Sequence, residues 1–391
     1  MPKHVFILGA GASAQGGCPV MGNFFKCADR IGERGEFDEF QHDWQTVRQL
    51  RERLQRASIK GSIDIENIES VLNAIEMADF LGLDWLKDIA PQQDSARFLR
   101  GSLVRLIAAT LERTQVCTGD YIESNLSYAL SSPLANSFCR SVQLGPCGYD
   151  EMAILFRRII EHPSSSSVSC ITFNYDIGLE YALACRGVGY TYALNDEPTD
   201  RQVVPILKLH GSTNWAAADG RIVEIGRPNL DWTWERRRRF GVVELGAGAR
   251  MLCTSAAVKK WLSSNPSSEA PIIVPPSESK SAERPQHKKI WRRAARELSD
   301  ADYVVISGYS MPATDEFFRQ FWAVSSVGDA LRKRVIVSVV GDSQQLANKY
   351  RALVGPSYCD QCRIEFLPTE FLGLVKNLIH RYQDSDGTLD L

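Results

Sequence analysis

Val5-Phe6-Ile7-Leu8-Gly9-Ala10-Gly11-Ala12-Ser13 is the stretch on which the fold turns. Four consecutive apolar residues running into a glycine pair predict a buried strand that stops at a tight turn, where a helix starts. Glycines at such a turn let the backbone approach a phosphate. The first turn of the helix offers it free N–H groups and the positive end of the helix dipole, so a pyrophosphate fits there. Gly9, Gly11 and Ala14 keep the dinucleotide-binding spacing, although that spacing alone also describes a plain strand-to-helix turn. A dehydrogenase would continue into a second strand with an acidic end about 20 residues on. Polar, helix-like sequence follows instead, with only Asp29 near, which argues against hydride transfer.

Working outward, the next run that reads as a buried strand is Val168 to Phe173. Residues 26–167 before it predict a large helical insertion. Ile65, Ile68, Leu72 and Ile75 recur at helical spacing behind a candidate Asp64 cap, as do Leu99, Leu103, Leu106 and Leu111. Met152, Leu155, Phe156, Ile159 and Ile160 form a third stripe that stops before Pro163, and Ser164 to Ser167 returns the chain as a loop. Val203 to Leu209, Tyr303 to Ser307 and Val335 to Val340 then alternate with helical segments. Ile364 to Leu367 adds a last strand, and Phe371, Leu374, Val375 and Leu378 an amphipathic helix. The expected fold is α/β, a doubly wound, mostly parallel Rossmann-like sheet built from 1–25 and 168–391, with a smaller tryptophan-rich insertion or lid at 216–270. Ligands of such sheets sit outside the carboxyl ends of the strands, where Asn174, His210, Gly308 and Asp342 fall.

A chain of 391 residues with 44% hydrophobic content can bury a large core, and its size favours two structural units. Forty-five basic against 47 acidic residues remove a bulk electrostatic case for a nucleic-acid or membrane partner. The local runs Arg236 to Arg239 and Lys288-Lys289 with Arg292-Arg293 around Trp291 read as exposed helix charge, with direct nucleic-acid binding as the less favoured alternative. No stretch approaches the roughly 18 apolar residues of a membrane helix, and the N-terminal apolar run is too short for a signal peptide, so a soluble cytoplasmic protein is expected. The 10 cysteines are scattered, which predicts reduced and mostly buried thiols. The single pair Cys359 and Cys362 falls short of the four ligands of a structural zinc site, and no metal is expected.

Asn174 and Asp176 place an amide and a carboxylate at a strand end, a position that also suits capping of the next turn. His210 follows Ile206-Leu207-Lys208-Leu209 at another strand end, either as a structural group or as a proton acceptor tunable near neutral pH. Taken in order, the motifs resemble those of the sirtuin family. Gly9, Gly11, Ser13, Gly17 and Pro19 keep the spacing of its first signature, and Thr172, Asn174 and Asp176 its Thr-x-Asn-x-Asp. His210-Gly211 matches its His-Gly, and Gly308-Tyr309-Ser310 its Gly-Thr-Ser. The resemblance covers residues 1 to 22 and about 168 to 380, and none of the helical insertion. Met21 and Gly22 replace the family's Phe-Arg pair, and the zinc ribbon of its protein deacylases is absent, since only Cys253 lies between His210 and Gly308.

Phe173 to Asp176, Leu209 to Ser212, and Gly308 to Ser310 with Asp315 resemble more closely the divergent bacterial sirtuin-like NAD hydrolases of phage defence. That resemblance implies NAD as the substrate, with Asn174 at the ribose hydroxyls or water, Asp176 at the nicotinamide carboxamide and His210 as general base. Gly9, Gly11, Ser13, Gly308 and Ser310 would hold the phosphates and nearby ribose, Asp342 the adenosine side, and Ala10, Pro19 and Asp315 also belong to the cofactor-binding set. It also implies a homo-oligomer and a partner such as a HerA-type ATPase. Two other readings stay open: a non-catalytic sensor of NAD or ADP-ribose, and a protein deacylase.

Overall fold

Lys3–Leu8 (β1) is buried from His4 onward, with a parallel neighbour on each side: Val5 faces Val304 on one and Ser169 on the other. Burial on both faces is why its apolar run is continuous rather than alternating. This computed structural model describes residues 2–57, 61, 63–118, 148–162, 166–194, 202–225, 229–231, 248–252, 261, 264, 271–274, 285–311, 316–327, 334–341, 343–361 and 363–384. The other sheet strands are Ser167–Thr172 (β2), Gly189–Thr191 (β3), Val203–Lys208 (β4), Tyr303–Ser307 (β5), Arg334–Ser338 (β6) and Ile364–Leu367 (β7). They form one seven-stranded sheet in the order β7-β6-β5-β1-β2-β4-β3, parallel throughout and flanked by helices. The chain lays down β2, β4 and β3 to one side of β1 and β5, β6 and β7 to the other. The switch point of this doubly wound, Rossmann-like sheet therefore lies between β1 and β5, where Gly9 and Gly308 emerge.

The helices used below are Ala10–Ala14 (α1), Phe24–Glu33 (α2), Gln41–Ala57 (α3), Ile68–Phe80 (α4), Ser95–Thr114 (α5), Tyr149–Glu161 (α6), Gly178–Cys185 (α7) and Pro285–Ser299 (α8). Phe25, Val47, Leu50, Leu72, Ile75, Leu99 and Leu103 of α2 to α5 share a core of their own. Met152, Leu155, Phe156 and Ile159 of α6 belong to the core of the sheet instead, with Phe156 edge-on to Phe6 at 4.9 Å. Periodicity reveals that a helix has an apolar face but not which core receives it, so α6 could not be separated from the insertion by its stripe. A three-stranded antiparallel sheet of Val116–Thr118, Gly248–Leu252 and Asn229–Asp231 joins the two inserted stretches. At the start of the 216–270 stretch, Trp215–Ala218 and Arg221–Glu224 form a hairpin whose turn residues Asp219 and Gly220 both have positive φ, as an Asp-Gly turn requires.

The cap of α4 is Asn67 and not Asp64. Its Oδ1 accepts from Glu69 N at 2.8 Å and Ser70 N at 3.3 Å, while Asp64 closes the preceding turn by accepting from Glu66 N. Asn67→Ala is expected to lower stability by about 1 kcal/mol in urea unfolding, and no change would remove the cap assignment. None of the described helices is long and apolar enough to cross a membrane. Cys18, Cys27, Cys170, Cys185 and Cys359 form no disulfide. Cys18 and Cys170 are buried, and Cys27, Cys185 and Cys359 are partly exposed. Pro163, Arg236 to Arg239, Cys253, Asp315, Asp342 and Cys362 lie outside the described residues.

Candidate active site

The turns after β1 and β5 pack backbone against backbone. Gly9 N donates to Ser307 O at 3.0 Å and Gly11 N to Gly308 O at 2.8 Å. Gly308 has φ +69°, and a Cβ there would lie 2.1 Å from Ala12 N. A Cβ on Gly9 would lie 2.5 Å from Gly308 O. Both glycines are thus demanded by the mutual approach of the two turns before any ligand is considered. The Gly11 N–H, expected at a phosphate, is already spent on the Gly308 carbonyl.

β2 delivers Asn174 and Asp176 into a buried polar network at the start of α1. Asp176 accepts from Ser13 Oγ at 2.6 Å, Gln115 Nε2 at 2.7 Å and Gly178 N at 2.9 Å. Asn174 Nδ2 donates to Gly9 O at 2.9 Å and shares its other hydrogen between Ser13 Oγ and Tyr149 Oη, each at 3.0 Å. Tyr149 Oη and Ser13 Oγ are 2.7 Å apart. Ser13, Gln115, Tyr149, Asn174 and Asp176 are all buried, and such groups are stable only when paired. Burial first, and then the charge of Asp176, pushes the Tyr149 phenol well above its ordinary range, so it works as a neutral hydroxyl.

β4 carries a second buried network to the same loop. Lys208 and Glu180 of α7 form an ion pair of 2.9 Å, each 1% exposed. Lys208 Nζ also donates to the carbonyl oxygens of Asp176 and Tyr175, and Glu180 accepts from Tyr192 Oη at 3.0 Å. The lysine therefore ties down the loop that bears Asn174 and Asp176. Its signal was present in the sequence, since a charge inside the apolar run Ile206 to Leu209 demands a buried partner. Three residues beyond Lys208, Gly211 has φ +85°, and a Cβ would lie 2.2 Å from Ile272 O in the strand Ile272–Ile273 that pairs there. His210 O accepts from Val274 N at 2.9 Å, and His287 of α8 bonds the Leu209 carbonyl at 2.8 Å. These contacts hold the backbone on both sides of His210. Its buried ring lies edge-on to Phe173 at 5.2 Å, and Phe173 stacks on Tyr309 at 4.4 Å.

These elements surround one cavity of about 390 Å³ at the switch point. Gly9, Ala10, Gly11, Ser13 and Pro19 line it from the first turn, Asn174 and Asp176 from the second, His210 from the third, and Gly308 and Ser310 from the fourth. Asp315 and Asp342 lie outside the described residues. Met21 and Gly22 line the wall, as do Ile68, Glu69, Ile107 and Leu111 of the helical unit, which sequence reading gave no part in the site. Among the described lining residues none is lysine or arginine. Tyr149 and Gln115 were also missed, because neither belongs to a motif and each is brought in from far along the chain. The chain matches no family model and no curated protein, so its chemistry is read from the cavity itself.

Proposed function

We propose that the cavity takes NAD as a substrate and hydrolyses its nicotinamide–ribose bond, releasing nicotinamide and ADP-ribose. The observation that carries this reading is convergence: Gly9, Asn174, His210 and Gly308, from four separate stretches, line one cavity at the switch point of a parallel sheet, where such folds hold dinucleotides. Nicotinamide leaves as a neutral molecule with both electrons of the broken bond, so the barrier falls chiefly by orienting and stabilising an oxocarbenium-like ribose. With its Nδ2 committed to Gly9, Ser13 and Tyr149, Asn174 offers Oδ1 to a ribose hydroxyl or to water. His210 accepts the proton of the water whose oxygen bonds the anomeric carbon. The stacked Phe173 and Tyr309 supply a flat aromatic wall for the departing ring. Asp176, first expected at the nicotinamide carboxamide, is assigned a positioning role because three internal donors already hold its carboxylate. Ser310, exposed at the rim, and backbone N–H groups remain for the pyrophosphate.

The resemblance to sirtuin-like NAD hydrolases of phage defence extends the proposal to an effector held silent until infection. It would work as a homo-oligomer, with a HerA-type ATPase as candidate partner. The test is nicotinamide and ADP-ribose release from NAD by the full chain, alone and with the product of a neighbouring gene. Asn174→Ala is expected to lower turnover about 10²-fold by leaving the ribose misplaced. Wild-type turnover in that variant overturns the assignment, and saturable NAD binding without product favours the sensor reading instead.

A further inference from the structure

We propose that Tyr149 and Gln115 are positioning residues that hold the Asn174 carboxamide in the one orientation that leaves its oxygen to the substrate. Both stand outside the stretches that resemble sirtuin signatures, one at each end of residues 116–148. The proposal rests on the NAD-hydrolase reading for the identity of that substrate. The direction of every hydrogen bond follows from two groups that can only accept. The Asp176 carboxylate takes the Ser13 hydroxyl hydrogen, so the Ser13 oxygen receives the Tyr149 O–H, and the Tyr149 oxygen receives Asn174 Nδ2. At the other end Asn174 Nδ2 meets the Gly9 carbonyl. A flipped carboxamide would set Oδ1 against that carbonyl, facing two oxygens whose hydrogens already point elsewhere.

Gln115 anchors this chain by donating to the Asp176 oxygen that also takes the Gly178 N–H. Gly178 shows how closely the parts fit. A Cβ there would lie 2.5 Å from Gln115 Nε2, 2.8 Å from Tyr149 Cδ2 and 3.0 Å from Asp176 Oδ1. The Tyr149 ring packs edge-on against Phe371 at 5.4 Å, so Tyr149→Phe keeps the packing and removes only the hydroxyl. The first residue after α5 and the first of α6 thereby set the polarity of a bond network whose far end faces the cavity.

The test uses the full chain labelled with 15N-asparagine and compares wild type with Tyr149→Phe and Gln115→Leu. In the ligand-free protein the Asn174 side-chain amide hydrogens are expected to exchange with solvent at least about tenfold faster in Tyr149→Phe. In turnover, kcat for nicotinamide release should fall about tenfold in both variants while KM stays within about twofold, because the group positioned acts on the reaction more than on binding. A merely structural tyrosine would move neither the amide nor kcat at constant KM. Unchanged amide exchange in Tyr149→Phe overturns the proposal, as does wild-type kcat in that variant. If the wild-type chain releases no nicotinamide, the hydrolase reading fails, while the amide measurement still decides the positioning role.

Discussion

His210→Ala is expected to lower kcat for nicotinamide release by about 10²- to 10⁴-fold, the usual contribution of one general base. The substitution leaves the supports of this position intact. The carbonyl of residue 210 keeps its bond from Val274 N, His287 keeps the Leu209 carbonyl, and Gly211 keeps the strand contact with Ile272. The loss therefore reports on the imidazole rather than on a displaced strand end. Far-UV circular dichroism of the variant should match wild type, and calorimetric NAD affinity should change by less than about tenfold, since a proton acceptor acts mainly on the transition state. Turnover within threefold of wild type at saturating NAD would remove His210 from the reaction.

Lys208→Met is expected to cost about 3 to 5 kcal/mol of stability, because it leaves the Glu180 carboxylate in the core with the Tyr192 hydroxyl as its remaining donor among the described residues. Both partners of the 2.9 Å pair are 1% exposed, so neither side chain can reach water without opening the structure. The same change withdraws the donor to the Asp176 carbonyl, which loosens the loop that carries Asn174. Removing both charges in Lys208→Met with Glu180→Leu should recover part of the loss, since a buried pair replaced by apolar groups is often close to neutral. The recovery stays incomplete because the carbonyls of Asp176 and Tyr175 lose a donor either way. Urea unfolding checks both values. A single variant within 1 kcal/mol of wild type, or a double variant no better than the single, would show that the pair is not the anchor described.

Much of the sheet was legible because parallel strands buried on both faces advertise themselves as apolar runs. Tyr303–Ser307 and Ile364–Leu367 fall where their runs predict, and Ser167–Thr172 and Arg334–Ser338 differ only at their ends. Gly189–Thr191 was not seen: three residues at the sheet edge, none of them buried, carry no period to read. Val116–Thr118 escaped for the same reason of length. At α4 two good caps stood three residues apart, and only the helix start distinguished Asn67 from Asp64.

Asn174, His210 and Gly308 could be nominated from local pattern, because a polar or glycine residue that ends an apolar run marks the sheet edge where ligands sit. The internal partners of Asp176 could not be nominated. Its expected carboxamide contact followed from a resemblance, whereas its actual partners are Ser13, Gln115 and Gly178.

By itself, the sequence determined a parallel α/β sheet with a glycine turn at its centre and a polar edge beyond it, because hydrophobic period and turn chemistry are properties of neighbouring residues. Tertiary structure alone decided which donors close on the Asp176 carboxylate, which helix joins which core, and that Lys208 finds Glu180. The bonds from Ser13 and Gln115 to Asp176 and from Lys208 to Glu180 link positions 28 to 163 residues apart, and the residues around one partner do not name the other.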